Sequence, residues 1–189
     1  MGAPRLVLVP VVLVCLQTPL LTQRASVAAS GVYATLNGDD YARFDAGFGF
    51  DGQVRYQPRG PFSVGIGFQY SSHKIQQASE RFHASGPFVD ARYAFAIRSA
   101  PKVHPYLGGR FALIHWAVPS IEASANGQAY GPVGGLMIQV GNATRLDLGL
   151  AFLSLHIGDA TSFGSTVPNS STSGSALALR LGFDVGSGQ

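Results

Sequence analysis

The sequence predicts an all-β protein: an eight-stranded antiparallel up-and-down transmembrane β-barrel preceded by a cleavable signal peptide. Only 12% of the 189 residues are charged, about half the usual fraction in a soluble domain, so ordinary charges do not cover the surface. The 24 glycines and 11 prolines recur too often for long amphipathic helices. Apolar residues instead alternate with polar ones, which is the two-residue period of a β-strand.

Residues 1–29 have the features of a signal peptide. Arg5 precedes an apolar run that is too short for a membrane helix, and small residues close the segment. We expect cleavage near Ala28 or Ala29, which makes 30–189 the barrel domain.

Cys15 offers an alternative use of this leader as a lipoprotein signal. Val14 disfavours it, because a small residue is expected before a lipidated cysteine. Loss of Arg5 and Arg24 from the 13 basic residues leaves 11, against 10 acidic ones. The expected mature chain is nearly neutral, which gives no support to nucleic-acid binding.

Seven segments alternate clearly. The first is 44–56, whose even positions are mostly aromatic or aliphatic and whose odd positions are polar or Gly; the others are 62–71, 88–98, 106–116, 130–140, 146–152 and 177–185. In the fourth segment Trp116 falls on the same face as Arg110, although the other residues of that face are expected to be polar or small. A β-bulge, which inserts one residue, would move Trp116 to the opposite face. Barrels of this kind have an even number of strands, and 31–37 supplies the eighth.

The choice of charged residues indicates which face points inward. The strands carry Arg and Asp without Lys or Glu, a set suited to planar, paired and partly buried ions. Glycines on the same face leave room for the guanidinium groups in a narrow interior. We therefore expect a polar network in the lumen, formed by Asp45, Asp51, Arg55, Asp90, Arg92, Arg98, Arg110, Arg145, Asp147, Arg180 and Asp184. We expect the opposite face to contact lipid through Phe48, Phe50, Val64, Ile66, Phe68, Phe95, Leu148, Leu150, Leu179, Leu181 and Phe183.

The predicted connections alternate in length, as in outer-membrane barrels with short periplasmic turns and longer outside loops. The short ones are 58–61, 99–105 and 141–144, and the long ones are 72–87, 119–129 and 158–174. Aromatic residues near strand ends are candidates for girdles at the two membrane interfaces: Tyr56, Phe62, Tyr70 and Tyr130.

Four segments carry a resemblance to a known family: AGFGFDGQVRY (46–56), FSVGIGFQYSSHK (62–74), GPFVDARYAF (86–95) and PYLGGRFAL (105–113). With them the mature chain resembles the small outer-membrane β-barrels that include the OmpA transmembrane domain and the opacity-type porin-like proteins. The resemblance implies export to the outer membrane of a Gram-negative-type bacterium and contact with outer-membrane lipid. One departure is that Phe183 is followed by six residues, whereas family members commonly end in an aromatic residue.

The function expected of such a barrel is structural or surface-interacting, without catalysis or a cofactor. An eight-stranded interior is filled by its own side chains, so the Arg/Asp network would form a plug. An extracellular partner would bind through the Ser-, Asn- and Gly-rich loops. The main alternative is a secreted soluble barrel of the lipocalin type, with the faces reversed and a small apolar ligand inside.

A third hypothesis is an outer-membrane lipid A deacylase. His156 lies near Ser154, Asp159 and Ser162, and a serine activated by a histidine and a carboxylate is the chemistry required. The deacylases carry His-x-Ser-Asn, however, and the serine position here is Gly158. The five histidines also lack the close paired spacing of a zinc site.

Overall fold

The computed structural model describes residues 24–58, 60–76 and 80–186, which form one closed antiparallel barrel. Its wall consists of eight long strands, β1 (Arg24–Asn37), β2 (Gly47–Gln57), β3 (Phe62–Lys74), β4 (Arg81–Ala94), β5 (Val103–Val118), β6 (Ala123–Gln139), β7 (Thr144–Ile157) and β10 (Thr172–Gly186). The two-residue strands β8 (Thr161–Ser162) and β9 (Ser165–Thr166) form a small hairpin between β7 and β10. The predicted eight-stranded up-and-down barrel is confirmed.

Each long strand pairs with its neighbours in the chain, and β1 closes the barrel by pairing with both β2 and β10. The connections β2–β3, β4–β5 and β6–β7 lie at one end with the start of β1, which we call the turn end. The connections β1–β2, β3–β4, β5–β6 and β7–β10 lie at the other end, which we call the loop end. In the part of the chain that the structure describes, no helix is long and apolar enough to cross a membrane; two 3-10 turns occur, at Asp39–Tyr41 and Pro119–Ile121.

The first strand is longer than predicted. It begins at Arg24, not at Gly31, and Ser26–Asn37 pairs residue by residue with β10. The small residues at 25–29, which predict a cleavage site, lie within this strand and pair with β2 from Ala25 with Tyr56 to Ala29 with Gly52. Cleavage after Ala29 would remove six residues of β1 that pair with β2. The boundary at 29 stays a prediction. The rest of the expected leader lies outside the described residues.

Two of the predicted long loops are mostly strand. β3 and β4 continue beyond the alternating segments until Lys74 pairs with Arg81, and β5 and β6 continue until Val118 pairs with Ala123. The polar and small residues in these stretches suggest loops, but pairing satisfies their backbone N–H and C=O groups. At the turn end, in contrast, the predicted strand 88–98 is too long. β4 stops at Ala94, and Arg98 lies in a turn.

The predicted bulge in β5 does not occur. Partners in β4 and β5 keep one register from Ala94 with Tyr106 to His83 with Ala117. Trp116 is therefore in phase with Arg110 because both face the interior. Apolar side chains on the inner face, not a change of phase, explain the irregular pattern.

Candidate functional site

The most distinctive group of residues in the barrel is an ion network in its interior. Asp90, 2% exposed, is the centre of it. Its carboxylate oxygens lie 3.2 Å from Arg55 Nη1, 3.1 Å from Arg92 Nη2 and 3.1 Å from Arg110 Nη2. One carboxylate thus holds three guanidinium groups from three different strands together.

Three further aspartates extend the network along the barrel axis. Asp51 pairs with Arg110 at 3.2 Å and Arg180 at 2.8 Å. Asp147 pairs with Arg92 at 2.8 Å and accepts a hydrogen bond of 2.8 Å from the Tyr106 hydroxyl.

At the turn end Asp184 accepts a hydrogen bond of 3.0 Å from Ser26 Oγ. It also lies 3.4 Å from Arg145 Nη2 and 3.8 Å from Arg55 Nε. The network therefore spans β1, β2, β4, β5, β7 and β10.

The network is buried and almost balanced in charge. Four arginines and four aspartates are at most 5% exposed, namely Arg55, Arg92, Arg110, Arg180, Asp51, Asp90, Asp147 and Asp184. Burial of unpaired charges would be prohibitive, so the pairing accounts for their presence. Glycines provide the space: a Cβ on Gly135 or Gly149 would lie 2.7 Å from the Tyr106 hydroxyl oxygen.

These eight buried ions all belong to the predicted lumen set, and the remaining three predicted residues differ. Arg145 is partly exposed at the turn end, where it still pairs with Asp184. Asp45 lies outside the network before β2 and accepts a hydrogen bond of 3.0 Å from Gln76. Arg98 is exposed in the β4–β5 turn, so its predicted place in the lumen is wrong.

The eleven residues predicted to contact lipid all point outward. Their exposure runs from 38% for Val64 and Leu148 to 68% for Phe48. Of the aromatic residues predicted at strand ends, Tyr56 and Phe62 lie on the outer face near the turn end. Tyr130 and Tyr70 are nearer the loop end, and the Tyr70 hydroxyl lies 2.7 Å from His83 Nδ1.

An apolar layer, which the alternation does not predict, fills the inside of the loop-end half of the barrel. Side chains that face inward in this half are aliphatic or small, including Ile114, Leu153, Leu155, Ala112, Ala129, Ala151 and Ala176. A signal exists in the sequence, because Leu153, Leu155 and Ile157 are apolar on the inward phase of β7, where its turn-end half carries Asp147 and Gly149. Apolar residues on the inward phase indicate an apolar interior at this height.

An aromatic cluster covers this layer at the loop end. Trp116 packs edge to face on Phe82 and Tyr41, with ring centroids 4.4 Å and 5.3 Å apart. The ring centroids of Phe44 and Phe82 are 5.2 Å apart. Tyr41 comes from the 3-10 turn after β1, and its hydroxyl lies 2.9 Å from Thr172 Oγ1. Burial raises the pKa of Tyr41 above its ordinary value, against the opposing effect of the Thr172 hydrogen bond. We call Tyr41, Phe44, Phe82 and Trp116 the aromatic lid.

Two of the residues considered for hydrolysis, His156 and Asp159, have other partners. His156 points outward and stacks on Tyr130, with the two ring centroids 5.6 Å apart. Asp159 Oδ1 instead accepts hydrogen bonds from the backbone N–H groups of Ser170 and Ser171. Within the described ranges, no three His, Cys, Asp or Glu side chains are grouped so that they could hold a metal ion.

No protein-family model matches the chain, and no curated protein matches it in sequence. Solved structures do match. Neisserial surface protein A superposes with a TM-score of 0.59 at 18% identity, over 86% of this chain and 96% of that one.

Two other barrels match nearly as well. Ail, the attachment invasion locus protein of Yersinia pestis, gives a TM-score of 0.51 at 11% identity, over 88% of this chain and 100% of that one. A major outer membrane protein from Thermus thermophilus gives a TM-score of 0.52 at 17% identity, over 86% of this chain and 99% of that one. The chain therefore has the fold of the small outer-membrane β-barrels, as its resemblance to them implied.

Proposed function

We propose that this protein is an integral β-barrel of the outer membrane of a Gram-negative-type bacterium, with a structural or surface-interaction role and no catalytic activity. The observation that carries the proposal is the inversion of its two faces. Asp90 and Arg92 are at most 2% exposed inside the barrel, whereas Ile66 and Phe48 outside are 63% and 68% exposed. Contact of that outer surface with water would be unfavourable, and contact with lipid would not.

The dimensions of the wall fit a bilayer. A strand needs about 9–11 residues to cross at a tilt, and the long strands contain 11 to 17. Closure through β1 and β10 leaves no unpaired strand edge in the membrane. In this proposal the turn end faces the periplasm and the loop end faces outward.

The ion network supports a plug and not a channel for large solutes. An eight-stranded barrel is just wide enough to be filled by its own side chains. Here Arg92 and Asp147 reach across from β4 to β7, and Arg110 and Asp51 reach across from β5 to β2. These pairs cross the lumen, and side chains that meet across it support a plug.

A surface-interaction role is supported by the loop end. The β8–β9 hairpin presents Phe163 in its turn, 73% exposed, and Val167, directly after β9, is 43% exposed. Exposed apolar side chains on a projecting hairpin suit contact with a partner. The name of Ail, a barrel of similar fold, includes attachment. We extend a role of that kind to the loop end of this chain as part of the proposal.

The proposal is tested by expressing the full chain in a Gram-negative host and separating soluble, inner-membrane and outer-membrane fractions. We expect the protein in the outer membrane, with a gel mobility that differs between boiled and unboiled samples. Planar-bilayer recordings of the purified barrel should show no large, stable conductance. Recovery as a soluble periplasmic protein without a mobility shift would overturn the proposal in favour of a soluble ligand-binding barrel.

A phenotype can separate the two roles. Removal of both exposed apolar side chains in Phe163→Ser/Val167→Ser should leave the outer-membrane level and the mobility shift unchanged. If the loop end binds a partner, the double variant should lower adhesion of the expressing cells to surfaces or host cells that wild-type cells bind. Unchanged adhesion would leave only the structural role.

A further inference from the structure

The interior contains a cavity of ≈ 80 Å³ between the ion network and the aromatic lid. Its walls include Leu36, Ile114, Leu153 and Leu155, and its floor includes Asp51, Arg110 and Arg180. One water needs roughly 10–15 Å³ by this measure, so a ligand of about five to eight heavy atoms fits. The aliphatic walls favour an apolar group, and the floor offers polar partners to one end of an occupant.

The cavity exists because small side chains lie side by side in the wall. Ala178 on β10 pairs with Ala34 on β1 and with Ala151 on β7, and all three line the cavity. The same strands carry Leu36, Leu153 and Leu155 farther toward the loop end on the inner face. The small side chains at 34, 151 and 178 therefore leave part of this free volume next to the wall.

Three cavity-lining residues hold buried hydrogen-bond donors that no described residue satisfies. They are Arg180 Nη1, Arg110 Nε and Trp116 Nε1. Arg180 is 4% exposed, and its other two nitrogens pair with Asp51. An unsatisfied buried donor is costly, and an acceptor on a ligand would remove that cost.

We propose that this cavity is a binding site for a small, neutral, apolar molecule with a carbonyl oxygen at one end. The apolar part would pack on Ile114, Leu153 and Leu155. The oxygen would accept a hydrogen bond from one of the unsatisfied guanidinium donors of the floor residues, Arg180 Nη1 or Arg110 Nε. A neutral ligand is favoured over a carboxylate because the buried arginines and aspartates already balance. This site goes beyond the structural or surface role and depends only on the folded barrel.

Trp116 makes binding directly observable, because it is the single tryptophan of the chain and lines the cavity. The purified, refolded barrel in detergent micelles should give one indole N–H peak in a ¹H–¹⁵N NMR spectrum. Titration with cyclohexanone should shift this peak to saturation. Methylcyclohexane, with the same number of heavy atoms and no oxygen, should bind at least about tenfold more weakly, as the loss of one hydrogen bond from a charged guanidinium implies.

Filling the cavity provides the control for non-specific partitioning into the micelle. Ala178→Leu should abolish the saturable shift, and the smaller change Ala151→Val should weaken binding if Ala178→Leu does not fold. Ala91→Leu adds the same side chain to the outer face of β4, in phase with the exposed Val89 and Tyr93, and should bind like the wild type.

The site is refuted if neither molecule shifts the indole peak, or if the filled and control variants respond equally. Equal affinity for the two molecules would refute the carbonyl preference. A barrel that does not fold gives a collapsed spectrum before any ligand is added, so failure of the proposed function is distinguishable from failure of this site.

Discussion

Replacement of Asp90 by Asn tests whether the ion network stabilises the barrel. The substitution keeps the shape of the side chain and removes its charge. Asp90 lies 3.1 to 3.2 Å from Arg55, Arg92 and Arg110, so three buried guanidinium groups lose their common partner. The balance of four buried arginines and four buried aspartates changes to four and three.

The expected cost is large because the remaining charges stay buried. Removal of one partner of a buried ion pair costs about 3–5 kcal/mol, mainly through the charge left without compensation. Asp51 and Asp147 still hold Arg110 and Arg92, which favours the lower end of that range. With a urea dependence of about 2 kcal/mol/M, the unfolding midpoint should fall by about 1.5 M.

The assay is urea unfolding of the barrel in lipid vesicles, followed by Trp116 fluorescence and by gel mobility. Asp45→Asn is the matched control, because Asp45 lies outside the network, and its effect should stay within about 0.5 kcal/mol. Asp90→Asn/Arg110→Met removes one charge of each sign and should recover part of the loss. Asp90→Asn as stable as Asp45→Asn would refute the stabilising role of the network.

Three further predictions concern the outer face, the exposed arginine and the aromatic lid. Ile66→Arg places a charge on the lipid-facing wall and should destabilise the barrel by about 2–4 kcal/mol in vesicles, whereas Ile66→Leu should change little. An arginine-specific reagent such as phenylglyoxal should label Arg98 in the folded protein and spare Arg110, as peptide mass mapping would show; rapid labelling of Arg110 would contradict the plugged lumen. Because burial raises the pKa of Tyr41 in the folded state, the stability that its protonated form contributes is complete below the unfolded value of 10.0 and is lost as the pH rises through the folded value. Alkaline unfolding should show this loss in the wild type and a smaller one in Tyr41→Phe.

The wall of the barrel could be predicted from the sequence because two-residue alternation is a local property. Each outward Phe, Leu or Val and each inward Gly, Asp or Arg is fixed by its own strand, as Arg92 and Tyr93 illustrate. The use of Arg with Asp, without Lys, also indicates which face is inside. The partners within the network could not be predicted, because Arg55 and Asp90 meet only through the closure and register of separate strands.

The strand ends and the apolar half of the lumen are harder to predict. Beyond the lipid-facing band, strands can be polar on both faces, so the composition of 72–87 predicts a loop although pairing continues to Lys74 and Arg81. Inside the loop-end half, Ile114 and Leu153 both face the lumen, which reverses the polar interior expected from the turn-end half. The position of Tyr41 depends on the path of the β1–β2 connection, which alternation does not describe.

The central claim is that the apolar face of the barrel contacts lipid and the Arg/Asp face does not contact water. Brominated acyl chains quench tryptophan on contact, so the measurement compares two single-tryptophan proteins in brominated vesicles. Ile66→Trp in a Trp116→Phe background places the reporter on the outer wall, and the wild type keeps it in the lumen. We predict strong quenching at position 66 and weak quenching of Trp116. Equal quenching, or stronger quenching of Trp116, would contradict the assignment of the two faces.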